Sequence, residues 1–153
     1  NRNSYKYNIN IMTYELILVP LAAAIIAQII KLGINASKDK FTWKDLNSYG
    51  GMPSSHAALV ISLAAMAGYS EGWNSAAFAI SLVLALIVIR DAGGLRMALG
   101  RHAIELNQLI HSLKSTESAK YPILRERMGH TPLELFFGSL VGLLIVALYI
   151  LIF

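Results

Sequence analysis

The sequence has no cysteine, and only 14% of its 153 residues are charged. Without cysteine, disulfide bonds and thiolate chemistry are excluded. This charged fraction is well below the value of about 25% in soluble globular domains. Hydrophobic residues make up 56% of the chain. This shortage of charge, together with long uncharged runs, predicts an integral membrane protein. The net charge of +4 then fits cytoplasmic loops and anionic lipid headgroups, and we expect no nucleic-acid partner.

Four apolar runs have the length and composition of helices in a bilayer. They cover residues 16–34, 53–69, 76–89 and 135–153. Residues 91–96 are expected to end the third run, and residues 97–114 keep the spacing of an amphipathic helix that lies at the surface or packs on the bundle. Residues 115–128 are expected to be a mobile connection. The prediction is an all-α membrane bundle of about four transmembrane helices plus an amphipathic helix.

The domain boundaries follow from a change in composition near the start of the chain. Residues 1–11 are polar, and Met12 opens a stretch that leads directly into the first apolar run. We therefore expect residues 1–11 to be a segment foreign to the domain or a disordered N-terminus. Residues 12–153 are expected to form one membrane domain.

Alternating crossings of the bilayer place the unusual polar residues at one membrane face. Helix ends or starts on this face carry Lys31, His56, Asp91, Arg96, His130 and Glu134. The loops on the same face are rich in lysine and arginine, so the positive-inside rule predicts that it is cytoplasmic. We expect the membrane to be a bacterial cell membrane.

Two helix starts on this face carry the residues of greatest chemical interest. Residues 50–56 read Gly-Gly-Met-Pro-Ser-Ser-His, and Ser54 and Ser55 can cap a helix and leave amides for an anion. At the second start, Thr131 can cap the helix that follows. His130 and Glu134 are spaced i, i+4 and share one face, so the carboxylate can orient the imidazole.

These groups suit the hydrolysis of a phosphate ester or diphosphate through a phosphohistidine, without a metal or another cofactor. Among these groups the two histidines, His56 and His130, would supply a nucleophile and a general acid. Lys31 and Arg96 would neutralise phosphate oxygens, and Asp91 would position Arg96 or a water.

Each residue also has an ordinary structural interpretation. A histidine at a helix start can be a cap, and the carboxylate of Glu134 can interact with the positive end of the helix dipole. Lys31 can snorkel to the lipid headgroups, and Asp91 can pair with an arginine. A zinc site is a further possibility, with ligands from His56, His130, Glu134 and His102. The sequence is also compatible with a serine nucleophile at Ser54 or Ser55, with a non-catalytic lipid-phosphate binder or transporter, and with a subunit of a larger membrane assembly.

Three motifs together resemble the divergent, small branch of the type 2 phosphatidic acid phosphatase superfamily, which is related to vanadium haloperoxidases. They are Gly-Gly-Met-Pro-Ser-Ser-His-Ala-Ala (50–58), Asp-Ala-Gly-Gly-Leu-Arg (91–96) and Gly-His-Thr-Pro-Leu-Glu (129–134). The resemblance implies a metal-independent lipid-phosphate phosphatase. It also implies that His130 is the nucleophile, that His56 protonates the leaving group and that Glu134 stands in place of an orienting aspartate.

The chain departs from the mainstream motifs of that superfamily at several positions. Ser55 replaces the glycine of the Pro-Ser-Gly-His motif, and the Arg-Pro that accompanies the lysine matched by Lys31 is missing. No Ser-Arg pair stands at the family spacing before His130. Arg96, Arg125 or Arg127 would replace that arginine, and Arg96 is favoured because its segment follows a membrane helix on the same face. The chain also looks as if the mainstream fold's first two helices were absent.

A small-x-x-x-small pattern in the last apolar run bears on oligomeric state. Gly138 and Gly142 are spaced so that two helices could approach closely. A bundle of about four helices is small, and we expect these glycines to suit the interface of a homodimer.

Overall fold

The computed structural model describes residues 2–37, 50–113 and 121–153, with side chains from residue 14 onwards. Within these ranges the regular secondary structure is helical, and there is no strand. The helices are α1 (Arg2–Ala36), α2 (Ser55–Glu71), α3 (Ala76–Arg90), a π-helical turn (Asp91–Leu95), α4 (Arg96–Ser112) and α5 (Pro132–Ile152). This confirms the predicted all-α membrane bundle. Residues 2–11 are part of α1, and the expectation that they lie outside the domain stays a prediction.

Three helical segments in the described ranges are long and apolar enough to cross a bilayer. They are Tyr14–Ala36, Ala76–Ser112 and Pro132–Ile152. Helix α2 has 17 residues, so at about 1.5 Å per residue it is shorter than a typical bilayer core. The bundle therefore combines three long apolar helices with a shorter one.

Helix α2 lies at the centre of the bundle, where it packs against α1, α3 and α5. Small side chains allow this close approach. Buried alanines on the facing surfaces include Ala23 and Ala27 of α1 and Ala58 and Ala67 of α2. The consequence is that the start of α2 is held on several sides by other helices.

The two glycines of α5 serve this intramolecular packing, so the expectation of a dimer interface at Gly138 and Gly142 is wrong. Both are buried. A Cβ added at Gly142 would lie 2.6 Å from the carbonyl oxygen of Ala58, and one at Gly138 would collide with the backbone of Ser54. The i, i+4 spacing of two glycines predicts close helix packing, but it does not show which helix packs against them. A homodimer stays a prediction, and it would need another surface.

The chain does not end its third helix at residues 91–96, as the two glycines suggested. It continues through the π turn into α4, which makes one helical segment of 37 residues. Gly93 and Gly94 are adjacent within this turn, and a Cβ at Gly93 would lie 2.7 Å from Cδ1 of Leu135 on α5. Gly93 thus lies within a continuous helical segment and packs against Leu135, and it does not end the helix.

The part of the predicted connection that is described, residues 121–128, has no regular secondary structure and is held against α4. The buried Asn107 donates from Nδ2 to the carbonyl oxygen of Leu124 (2.9 Å) and to Oε1 of Glu126 (2.8 Å), and its Oδ1 accepts from the amide of Leu124 (2.9 Å). These three bonds occupy the polar atoms of a side chain that is 3% exposed. Residues 115–120 of that prediction lie outside the described ranges.

Candidate functional site

The start of α5 holds a histidine in a fixed orientation. Thr131 caps the helix by accepting from the amide of Glu134 (3.3 Å), and Glu134 completes a capping box by accepting at Oε2 from the amide of Thr131 (3.1 Å). The same Oε2 lies 3.0 Å from Nδ1 of His130. Because the carboxylate favours a proton on Nδ1, the other ring nitrogen, Nε2, keeps its lone pair. His130 is 8% exposed.

The backbone before His130 lies directly on the π turn. The amide of His130 donates to the carbonyl oxygen of Ala92 (2.9 Å). Gly129 has φ +81°, and a Cβ there would lie 2.6 Å from the amide nitrogen of Met97. A π turn changes the i→i−4 hydrogen-bonding pattern of a helix and often occurs at functional sites. Here the carbonyl of Ala92 in the π turn binds the loop that carries His130. The ends of the third and fourth predicted apolar runs (76–89 and 135–153) therefore meet at His130.

The start of α2 is tied to the same structure by its backbone. Ser54 is fully buried, and its Oγ accepts from the amide of Ala57 (3.3 Å) as the predicted cap. Its own amide donates to the carbonyl oxygen of Glu134 (3.0 Å). The expectation that the amide of Ser54 binds phosphate is therefore wrong, because that donor is already used. Ser55 is half-buried in the first turn of α2, where helical amides lack a partner within the helix.

Lys31 approaches this region from α1 and is buried, at 4% exposed. A Cβ added at Gly51 would lie 2.7 Å from Cε of Lys31, so the lysine side chain crosses directly over the Gly51 backbone. Gly51 has φ +101°, a conformation that favours glycine. Snorkelling of Lys31 to the lipid headgroups is contradicted by this burial, because a snorkelling lysine keeps its ammonium group exposed.

His56 faces His130 across a cavity. The two ring centroids are 6.2 Å apart and the rings are tilted by 57°. His56 is solvent-exposed, and within the described part of the chain its ring has no hydrogen-bonded partner. The two histidines thus lie near enough for one phosphate group to contact both rings.

Arg96 and Asp91 form an ion pair across the π turn, with Nε of Arg96 2.6 Å from Oδ2 of Asp91. Their side chains are 43% and 33% exposed. This geometry agrees with the expectation that Asp91 positions Arg96, and it is equally the ordinary ion pair between an aspartate and an arginine.

One cavity, which we call the histidine cavity, collects these groups. Its walls include His56, Asp91, Arg96 and His130, together with Gly50 and Gly129. The structure thus brings together four of the predicted site residues here. Glu134 holds His130 through the Nδ1 atom of its ring. Lys31 lies under Gly51, and Ser54 is in the supporting backbone. Arg127, which the sequence offered in place of Arg96, lines a neighbouring cavity instead.

Sequence reasoning missed the residues that place His130 by their backbone. Ala92 supplies the carbonyl that binds the amide of His130, and Gly129 allows the loop to touch the π turn. The only signal for them was a glycine directly before a histidine and a second pair of glycines at residues 93 and 94. Neither indicates which carbonyl is the partner.

The environment of His130 favours its neutral form. Burial lowers the pKa of His130 below its ordinary value of 6.5. The hydrogen bond and the charge of Glu134 oppose this shift, whereas the positive charges of Lys31 and Arg96 add to it. Since the net direction is downward, the imidazole is neutral at pH 7, which is the form that a nucleophilic nitrogen requires.

A zinc site has no donor set in the described part of the chain. No group of three or more His, Asp or Glu side chains there is arranged to hold a metal ion. His102, the reserve ligand, is exposed on α4 and does not line the histidine cavity. The metal-free reaction itself stays a prediction.

Comparison with known proteins gives a family match and one curated relative. The divergent PAP2 family matches residues 12–145. A protein from Bacillus subtilis (strain 168), described as the uncharacterized membrane protein YuiD, is 38% identical over 141 residues, which cover 84% of this chain and 89% of the relative. No solved structure matches the chain.

Proposed function

Because this chain belongs to the divergent PAP2 family, we propose that it is a membrane-embedded phosphohydrolase that removes phosphate from a lipid phosphate or diphosphate. Polyprenyl and glycerolipid phosphates are the substrate classes in question. One observation carries the proposal: His130 is fixed by Glu134 at 3.0 Å and faces His56 with ring centroids 6.2 Å apart. A phosphate between two such imidazoles has a nucleophile on one side and a proton donor on the other.

The reaction follows from the roles of the two rings. The lone pair on Nε2 of His130 attacks phosphorus, and the bond between phosphorus and the leaving oxygen breaks as His56 gives that oxygen a proton. Glu134 stabilises the positive charge that develops on the His130 ring. A water then attacks the phosphohistidine, loses a proton to His56 and releases inorganic phosphate. Both histidines return to their starting states.

The cations near the cavity would stabilise the charge on phosphate. Arg96 reaches the cavity with its guanidinium oriented by Asp91, and Lys31 adds a buried positive charge close enough to affect His130. A phosphate oxygen in the transition state benefits from such preorganised charges because the site does not have to reorganise. The first-turn amide of Ser55 is a further helix-terminus donor.

The location of the site is part of the same proposal. The loops on the His56 and His130 side of the bundle carry most of the lysine and arginine residues, which supports a cytoplasmic face in a bacterial cell membrane. A substrate there would keep its apolar chain in the bilayer and present its phosphate at the helix starts. The partners proposed are thus the lipid substrate and the membrane.

Phosphate release by purified protein in detergent tests the proposal. Wild-type protein is expected to release phosphate from a prenyl phosphate, a prenyl diphosphate or a phosphatidate, and His130→Ala is expected to release none above background. A chelator should leave the wild-type rate unchanged. Saturable binding of these lipids without phosphate release would instead identify a lipid-phosphate binder or transporter.

A further inference from the structure

A second cavity lies on the other side of His130 from the histidine cavity. We call it the arginine cavity, and it has a volume of about 230 Å³. Glu134 lines this cavity and His56 does not, whereas His56 lines the histidine cavity and Glu134 does not. In the proposed reaction the phosphate and its leaving group lie on the His56 side of the nucleophile. A ligand in the arginine cavity would therefore be separate from the reacting lipid.

The arginine cavity contains two cations that have no bound partner in the described part of the chain. Arg101 comes from α4 and Arg127 from the segment 121–128, and both side chains are exposed. Neither forms an ion pair or a hydrogen bond with another described residue. If Gly50 had a Cβ, Nε of Arg127 would lie 3.7 Å from it, so this guanidinium lies beside the Gly50 backbone. Both arginines thus keep donors for a ligand.

The two glutamates that line the arginine cavity are bound to other groups. Oε2 of Glu134 accepts from the amide of Thr131 and contacts Nδ1 of His130. Oε1 of Glu126 accepts from Nδ2 of Asn107 at 2.8 Å. These contacts offset part of the negative charge, whereas the guanidinium groups remain available. The cavity therefore favours an anionic ligand, and the planar fork of arginine suits phosphate oxygens.

The wall that carries Arg127 is held against α4. Asn107 of α4 binds both the amide and the carbonyl of Leu124, and a Cβ at Gly100 would lie 2.7 Å from the carbonyl oxygen of Glu126. The segment 121–128 thus touches the helix that carries the other arginine of the cavity. Because the two walls are fixed to each other, less freedom is lost when a ligand binds between them.

The arginine cavity lies at the depth of the lipid headgroups. Helix α5 begins at Pro132 and has 21 residues, which at about 1.5 Å per residue is about the thickness of a bilayer core. The start of α5 is therefore at the boundary of the bilayer. Thr131, the cap of this helix, and Glu134, in its first turn, both line the cavity. A phosphate held there would be level with the phosphates of the surrounding lipids.

An apolar stripe on α5 leads from this depth into the bilayer. It begins directly beside Glu134, and its exposed members have the spacing i, i+4, i+7 and i+11, which keeps them on one face of the helix. They are Leu133, Phe137, Leu140 and Leu144. The hydrocarbon chain of a lipid can pack along such a stripe while its headgroup occupies the cavity. A free phosphate ion would use none of these contacts, so a lipid is favoured.

We propose that the arginine cavity binds the phosphodiester headgroup of an anionic bilayer lipid that is not the substrate. A cavity of about 230 Å³ is smaller than the pockets of drug-sized ligands, which suits a headgroup and not a whole lipid. Basic pockets of membrane proteins bind anionic headgroups in this way. The bound lipid would also contact the loop that positions the nucleophile, because Gly129, His130 and Thr131 line the cavity.

Titration with two lipids that have the same acyl chains tests the inference. Native mass spectrometry of the detergent-purified protein measures binding of dioleoylphosphatidylglycerol, which is anionic, and of dioleoylphosphatidylcholine, which is zwitterionic. Wild type should bind phosphatidylglycerol at least about tenfold more tightly. Arg101→Gln and Arg127→Gln should each weaken that binding about tenfold or more. Arg90→Gln is the control and should change nothing, because this exposed arginine lines neither cavity.

A variant in the histidine cavity shows which of the two cavities the lipid occupies. His56 does not line the arginine cavity, so His56→Gln should leave the affinity for phosphatidylglycerol unchanged. If His56→Gln weakens this binding and the two arginine variants do not, the lipid occupies the histidine cavity and the inference is wrong. Equal affinities of wild type for the two lipids would also overturn it, as would a preference that survives both arginine substitutions.

Calorimetric titration with inorganic phosphate distinguishes a lipid headgroup from a free anion. Phosphate binding that depends on Arg101 and Arg127, without any preference for phosphatidylglycerol over phosphatidylcholine, would identify a free-anion site and overturn the lipid assignment. A lipid at the site should raise the unfolding temperature of wild type, and this rise should be lost in both arginine variants. None of these measurements uses turnover, so they decide the inference whether or not the protein hydrolyses lipid phosphates.

Discussion

The two helix starts that meet at the histidine cavity are built alike but hold their histidines differently. Each has a hydroxyl cap, Ser54 for α2 and Thr131 for α5, and each follows a glycine with positive φ. At α5 the histidine precedes the cap, is buried and is bound by Glu134. At α2 His56 follows the cap and is exposed, and its ring centroid lies 6.2 Å from that of His130.

This difference suits two different jobs. A nucleophile must keep one lone pair aimed at the reacting atom, and a buried ring with a fixed hydrogen bond does so. A general acid and base must exchange protons with water and the substrate, which an exposed ring does more readily. We therefore assign attack to His130 and proton transfer to His56, and each prediction below tests that division.

The largest expected effect is that of His130→Gln. Glutamine keeps a polar side chain of similar size but cannot form a stable bond to phosphorus, so kcat should fall by at least about 10⁴-fold for every substrate. Phosphate release from prenyl and aryl phosphates measures this loss. Residual activity within tenfold of wild type would show that another residue is the nucleophile.

His56→Gln should have a smaller effect that depends on the leaving group. Removing a general acid lowers the rate by about 10²- to 10⁴-fold when the leaving oxygen needs a proton. An aryl phosphate with an acidic leaving group, such as p-nitrophenyl phosphate, needs no proton and should lose much less. Equal losses with alkyl and aryl substrates would contradict the role of His56 as the general acid.

Glu134→Gln tests whether the carboxylate is what distinguishes the α5 histidine. The neutral amide can still accept a hydrogen bond, but it cannot stabilise a charged imidazole, so kcat should fall by about 10²-fold. Glu105→Gln is the matched control, because Glu105 is exposed on α4 and lines neither cavity at the site. The role of Glu134 is wrong if the two variants have the same kcat.

The pH dependence should show the lowered pKa of His130. Because burial outweighs the opposing effect of Glu134, the protonation that inactivates the nucleophile should occur below pH 6.5, so the acidic limb of kcat/KM should lie there. Glu134 raises this pKa, so Glu134→Gln should move the acidic limb to still lower pH. Because wild type and Glu134→Gln are measured with the same substrate, ionisation of the substrate affects both pH profiles equally. A limb that moves to higher pH contradicts the account.

The smallest effect concerns the glycines that precede turns. Gly129 and Gly72 both have positive φ, but a Cβ at Gly129 would meet Met97 and Ala92 whereas nothing lies within 4 Å of one at Gly72. Gly72→Ala should therefore cost about 1–3 kcal/mol of backbone strain without a collision. Gly129→Ala should lose more stability in thermal unfolding and also lower kcat, because the collision displaces His130. Equal unfolding temperatures would contradict the contact with the π turn.

Local spacing made part of the site predictable. The i, i+4 relation of His130 and Glu134 and the caps at Ser54 and Thr131 depend on residues within one turn of helix, and the structure has all of them. Membrane alternation also predicted that the helix ends would meet. Neither local spacing nor membrane alternation predicted the contacts between segments. Examples are the hydrogen bonds from the amide of His130 to the carbonyl of Ala92 and from the amide of Ser54 to the carbonyl of Glu134.

The wrong predictions have the same origin. Gly93 and Gly94 looked like a helix end, and Gly138 and Gly142 looked like a dimer face, because glycine permits both positive φ and close packing. Which use applies depends on the neighbour, and the neighbours here are Leu135 and the start of α2. Their identity is decided by tertiary structure and not by the local sequence.

Mapping the phosphoenzyme tests the central claim most directly. Wild-type protein is mixed with a ³²P-labelled lipid phosphate, quenched in base and digested, and the labelled peptide is identified by mass spectrometry. We predict a base-stable, acid-labile phosphate on His130, its absence in His130→Gln and its accumulation in His56→Gln with an aryl phosphate. Label on Ser54, Ser55 or His56, or full turnover with no labelled histidine, would contradict the account.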